Sequence, residues 1–194
     1  MAASILKMFQ YINPQIFLFS ALLFFIGYAI APTAYYKKIR WLTIYPFFII
    51  HLMDKYFKKE WPPVWIFLVI LILNTFSLFV NLLSGWGIIL PVLFSIYMGI
   101  NIGVVMYHTL EGQFYYTSLL NPVAMLELPA SWISITMAIQ FSLEKYFDAA
   151  IIEQATFGDY VKVFIFIIIP MLIIADLIET SLIVISRKRE GGQD

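Results

Sequence analysis

Residues 63–83 read PVWIFLVILILNTFSLFVNLL, a run without one Asp, Glu, Lys or Arg. As a helix rising about 1.5 Å per residue, it is about 30 Å long, which matches the hydrocarbon core of a bilayer. Proline at its first position suits a helical first turn, and Ser84-Gly85-Trp86-Gly87 closes it with a tight turn. Four more apolar runs follow the same rule, at about 16–32, 88–107, 122–143 and 160–185. The whole chain of 194 residues is 62% hydrophobic and 12% charged. A soluble domain sits near roughly 45–50% and about 25%. That balance excludes a soluble enzyme, a nucleic-acid binder and a disordered chain. Five spans use about 100 positions, and the scattered remainder leaves no room for a soluble catalytic domain.

The expected fold is therefore all-α: one polytopic membrane domain, 1–194, with five transmembrane helices and amphipathic interfacial segments at about 41–59 and 144–159. Lys7 ahead of the first run and Ala29-Ile30-Ala31 behind it look like a signal peptide. Pro32 follows directly, and a retained first span is expected. The core of the first interfacial segment, Trp41 to Met53, is too short to cross. Neither an internal repeat nor a low-complexity tract is present.

Orientation follows from the basic residues, which favour the cytoplasmic side. Five crossings put the 33–61 segment, the 108–121 loop and the C-terminus on one face, with nine of the 12 Lys and Arg. Lys7, Lys145 and Lys162 fall on the other. The N-terminus is expected outside and the C-terminus in the cytoplasm, across a cell membrane. Tyr35, Tyr36, Trp41, Trp61, Trp65, Tyr107, Tyr146 and Tyr160 fall near span ends, as aromatic belts do.

Acidic residues inside a span are costly and so point to function. Glu127, Asp176 and Glu179 qualify, in the company of Asn74, Asn101 and Gln140. Counting from the span ends puts Asn101 and Glu127 about 9 Å deep, Glu179 about 12 Å, and Asn74 and Asp176 near 16–18 Å. Two polar layers are expected: Asn101–Glu127–Glu179 nearer the cytoplasm and Asn74–Asp176 near the midplane. Asp176 and Glu179, three apart, share a helix face. Pro129 frees the Met125 carbonyl beside Glu127, and Pro170 distorts the last span. The plain expectation is a set of protonated, hydrogen-bonded carboxyls that join helices; a proton or cation path and a subunit interface are the alternatives.

Other chemistry is thin. The absence of cysteine excludes disulfides, thiolate metal sites and a cysteine nucleophile. His51 near Asp54 and His108 beside Glu111 lack the spacing of a metal motif, so no metal is expected. Without a Ser–His–Asp arrangement or a glycine-rich phosphate loop, neither catalysis nor a cofactor is expected. The segment carrying Lys37, Lys38, Arg40, Trp41, Lys55, Lys58, Lys59 and Trp61 reads as an anchor on anionic lipid. The alternative is docking of a cytoplasmic partner, since it resembles the lateral helices on which transporter ATPases engage their membrane subunits.

Over about residues 63–185 the chain resembles the stage II sporulation protein M family. Asn74 followed by Ser84-Gly85 and Asn101-Ile102-Gly103 fit the family pattern, the latter with an insertion-like departure. The strongest stretch is Pro122-Val123-Ala124-Met125-Leu126-Glu127-Leu128-Pro129-Ala130, set against Pro-His-Gly-x-x-Glu-Leu-Pro-Ala. Val123 stands for the motif histidine and Ala124 for its glycine. Ile178-Glu179 matches the end of the last span, and Asp176 is an addition. The resemblance implies a non-enzymatic membrane subunit or scaffold of a complex, as with the sporulation member, which anchors peptidoglycan-remodelling enzymes. Related proteins also look like membrane subunits of ABC-type exporters, so the alternative is a permease docking a separate ATPase through residues 33–61. The expected partners are the bilayer and other membrane chains, in a homo- or hetero-oligomer.

Overall fold

A computed structural model describes residues 8–56, 61–147 and 155–190, and every regular element among them is helical. Helix α1 (Pro14–Tyr36) starts on Asn13, whose side-chain oxygen accepts from the Gln15 and Ile16 N–H groups. The chain turns at Lys38, held at φ 48°, into α2 (Arg40–Tyr56). Then come α3 (Pro63–Leu83), α4 (Leu90–Thr109) and α5 (Ala124–Phe147). The last rod joins α6 (Phe157–Val163), a π turn over Phe164–Ile168, and α7 (Ile169–Glu190).

Four of these helices are long and apolar enough to cross a membrane: Pro14–Tyr36, Pro63–Trp86, Leu90–Thr109 and Phe157–Arg187. Helix α5 has 24 residues, the needed length, but a more polar composition. Its surroundings explain why. Residues 133–140 are all buried, so every face of this stretch meets protein. Its hydroxyls bond internally: Ser134 to the Leu78 carbonyl at 2.6 Å, and Ser142 to the Gly87 carbonyl at 3.1 Å. A helix enclosed by helices needs no apolar exterior.

Helices α1, α3, α4, α5 and the α6–α7 rod run in turn up and down between two ends of the bundle. At one end Lys145 stacks over Trp86 and the Tyr146 hydroxyl donates to the Trp86 carbonyl. There Gln140 also donates to the Tyr11 carbonyl at 3.0 Å and accepts from the Asn13 N–H at 2.9 Å. At the other end Tyr35 pairs with His108, Tyr36 with Tyr107, and Arg187 donates to the Trp61 carbonyl. Helix α5 reaches both ends.

The first interfacial segment corresponds to α2, which buries Leu42, Thr43 and Pro46 and exposes Trp41, Ile44, Tyr45 and Phe48. The second, at 144–159, is α5 as far as Phe147; residues 148–154 lie outside the described residues. The span taken to end near Pro32 continues four residues past it. Proline cannot donate to the Tyr28 carbonyl one turn back. The Tyr115 hydroxyl donates to that carbonyl at 2.5 Å instead, while the Tyr28 hydroxyl donates to the Tyr115 carbonyl at 2.7 Å. The two rings stack at 4.4 Å.

Tyr115→Phe therefore orphans a buried carbonyl, and a loss of about 1–3 kcal/mol is expected. Burial pushes the Tyr115 hydroxyl up, and the neighbouring Tyr28 adds to it. Above about pH 10 the unfolded chain gives up this proton while the folded chain keeps it, so stability falls as pH rises further. Melting curves should show that this alkaline loss is smaller in Tyr115→Phe; identical slopes would refute the assignment.

Candidate functional site

Three helices bring four of the intramembrane polar side chains together. Helix α3 supplies Asn74, α5 supplies Glu127 in its first turn, and α7 supplies Asp176 and Glu179. The Asn74 amide donates to Glu127 Oε1 at 3.0 Å and to Asp176 Oδ1 at 2.9 Å. One oxygen from each of the three carboxyls lies within 4.8 Å of the others. Asp176 is fully buried, and Glu127 and Glu179 are half-buried. Such an arrangement can join helices, hold a proton or ligate a cation.

The two expected layers are one cluster, and Asn101 is not in it. Depth counted along a helix says nothing about the direction a side chain faces. Helix α4 packs chiefly on α1 and α2, away from the cluster, and the Asn101 Oδ1 is buried with no partner among the described residues. The axial step between Glu127 and Asp176 is bridged by the Asn74 side chain. Gln140 belongs to the opposite end of α5, where its Nε2 is also 3.4 Å from the Tyr160 hydroxyl.

Pro129 lies within α5 without breaking it, and the Ser131 hydroxyl donates to the Glu127 carbonyl one turn earlier at 2.8 Å. Pro170 stands two residues past the π turn. It cannot donate to the Phe166 carbonyl, and the wider turn absorbs the lost bond.

Of the docking residues, Lys37, Lys38, Arg40 and Trp41 are exposed, and Trp61 is half-buried beside Arg187. Lys38 and Arg40 help to line a cavity of about 430 Å³ with Tyr35, Tyr36, Thr43 and Phe47. The Lys55 side chain and all of Lys58 and Lys59 lie outside the described residues. A second cavity, of about 280 Å³, lies between Gln15, Phe19, Val92 and Ile139. The carboxyl cluster lines neither. His108 faces Tyr35 at 3.1 Å and His51 is exposed on α2, so neither joins the carboxyls.

Sequence reasoning missed the tightest seam. Gly27 and Gly99 let α1 and α4 touch backbone to backbone: a Cβ on Gly27 would overlap the Ile96 carbonyl, and one on Gly99 the Phe24 carbonyl. The signal was present as Gly99-x-x-x-Gly103 facing Gly27-x-x-x-Ala31.

The family model described as stage II sporulation protein M matches residues 14–182, from the start of α1 into α7. No curated protein and no solved structure matches the chain.

Proposed function

The chain belongs to the stage II sporulation protein M family, and from that membership we propose that it is a non-enzymatic integral membrane subunit of a larger membrane complex, a scaffold that works by helix association. The observation that carries this reading is the division of its surfaces. Polar side chains turn inward between α3, α5 and α7, while α3 and α7 turn broad apolar faces outward, with Ile72 63%, Phe76 66%, Ile174 52% and Leu177 51% exposed. Such faces suit lipid and neighbouring membrane helices alike. A native-membrane pull-down should return a defined set of membrane partners, lost when Ile72, Phe76, Ile174 and Leu177 are replaced by Ala. Recovery of the chain alone as a monomer would refute the scaffold. A second reading, a permease subunit, draws on exposed Lys37, Lys38, Arg40 and Trp41 at one end of the bundle. It requires an ATPase among the partners, lost when these residues are replaced.

We place five crossings in a cell membrane, with the end bearing α2 and Arg187 in the cytoplasm. The length of α5 and its reach between both ends support the fifth crossing. The chain has no cysteine, so each introduced one reports a single place. Gln113→Cys should react with an impermeant maleimide from the cytoplasmic side, and Phe147→Cys only from outside. Labelling of both from one side would remove α5 from the spans.

A further inference from the structure

We infer that Glu127, Asp176 and Glu179 hold one hard divalent cation between α5 and α7, with the Thr180 hydroxyl beside it. Oxygen ligands at the 2.3–2.6 Å typical of calcium span a shell about 4.6–5.2 Å across, and the three carboxylate oxygens lie within 4.8 Å of one another. An all-oxygen, carboxylate-rich donor set favours calcium or manganese over softer metals.

Two orphaned atoms point to a ligand, one on a carboxyl of the cluster and one on a neutral hydroxyl outside it. Asp176 is 0% exposed, and while its Oδ1 takes the Asn74 amide, its Oδ2 has no hydrogen-bond partner among the described residues. Thr180, 7% exposed, also has a buried hydroxyl with no partner. Other helical hydroxyls bond back to the carbonyl one turn earlier: Ser20 to Ile16, Ser131 to Glu127, Thr136 to Trp132 and Ser181 to Leu177. Thr180 does not. It stands one turn after Asp176 and next to Glu179, on the face that carries the cluster. A buried oxygen without a partner is costly, and two on one helix face are satisfied together by a cation between them. Asn74 then positions Glu127 and Asp176 by donating to the oxygens the cation leaves free.

This inference is separate from the scaffold reading, because it concerns the isolated chain and not its partners. The test is titration of the full-length chain in nanodiscs with Mn²⁺, following free Mn²⁺ by electron paramagnetic resonance. One Mn²⁺ per chain is expected, displaced by Ca²⁺. Asp176→Asn should weaken binding at least about tenfold and Thr180→Val by less, while Glu144→Gln, at the other end of α5, binds as the parent does. If Asp176→Asn does not fold, Glu179→Gln at the half-exposed side of the cluster gives the same readout. No saturable Mn²⁺ binding by the parent chain would overturn the site and leave a protonated carboxyl cluster. Equal binding by the parent, Asp176→Asn and Glu179→Gln would overturn it as well.

Discussion

Gly99→Leu should leave no folded protein, and Gly99→Ala should lower the melting temperature more than any other single added methyl group in α4. The reason is the closeness of α1 and α4. At Gly99 a new Cβ would overlap the Phe24 carbonyl and crowd the Tyr28 nitrogen at 2.8 Å; at Gly27 it would overlap the Ile96 carbonyl. All of these are backbone atoms, which cannot rotate away as a side chain would. Overpacking typically costs about 1–3 kcal/mol for an extra methylene where side chains can adjust. Here the helices themselves must separate, and dispersion contacts along the whole seam weaken together. The Ser95 hydroxyl bond to the Ser20 carbonyl, 2.9 Å across the same seam, would lengthen with them. Gly158→Ala is the control, because its Cβ would meet only Thr156 Oγ1 at an ordinary 3.6 Å. Thermal melts in one detergent should rank Gly99→Ala and Gly27→Ala well below Gly158→Ala. Similar melting temperatures for all three would show that the seam is looser than described.

The second large effect is expected at Asn74. Its amide donates to both Glu127 and Asp176, across three helices. Polar contacts in a bilayer average about 0.6 kcal/mol each, so two lost bonds alone amount to little more than 1 kcal/mol. Removing the donor also leaves buried acidic oxygens unmet, and an unpaired buried charge costs about 3–5 kcal/mol. Asn74→Leu is therefore expected to lose about 3 kcal/mol. Asn74→Asp, of the same shape, should lose more, since it replaces a donor with a fourth carboxyl. Reversible unfolding in mixed micelles would measure both. A leucine variant as stable as the parent would mean that the carboxyls satisfy one another without the amide.

Both effects show what could be read in advance. The apolar runs fixed the helices, because in lipid a backbone must satisfy its own hydrogen bonds and length alone then sets a span. Asn74, Glu127, Asp176 and Glu179 stood out for the same reason: a polar group in an apolar run is expensive. Depth counting split them into two layers that the structure joins in one cluster, and Asn101 shared the depth of Glu127 but not its place. A count along one axis carries no azimuth, and azimuth depends on which helix packs beside which. The Gly99-x-x-x-Gly103 spacing was visible and went unread, whereas its partner Gly27 is 72 positions away in sequence. The Tyr115 bond to the carbonyl released by Pro32 had no local signal. It joins a loop to a helix 87 residues earlier.

The sequence by itself determined that this chain is a helical membrane protein, where its helices lie, and which side chains are too costly to face lipid. Those are local matters of hydropathy, proline and charge. Only the tertiary structure decided that α5 is enclosed and so tolerates its hydroxyls, that two supposed layers are one four-residue cluster, and that α1 and α4 meet on bare backbone. Each depends on contacts between residues far apart in the chain. Packing in a bilayer selects those contacts by shape and by the need to satisfy buried polar atoms, not by the hydrophobicity that marks the spans.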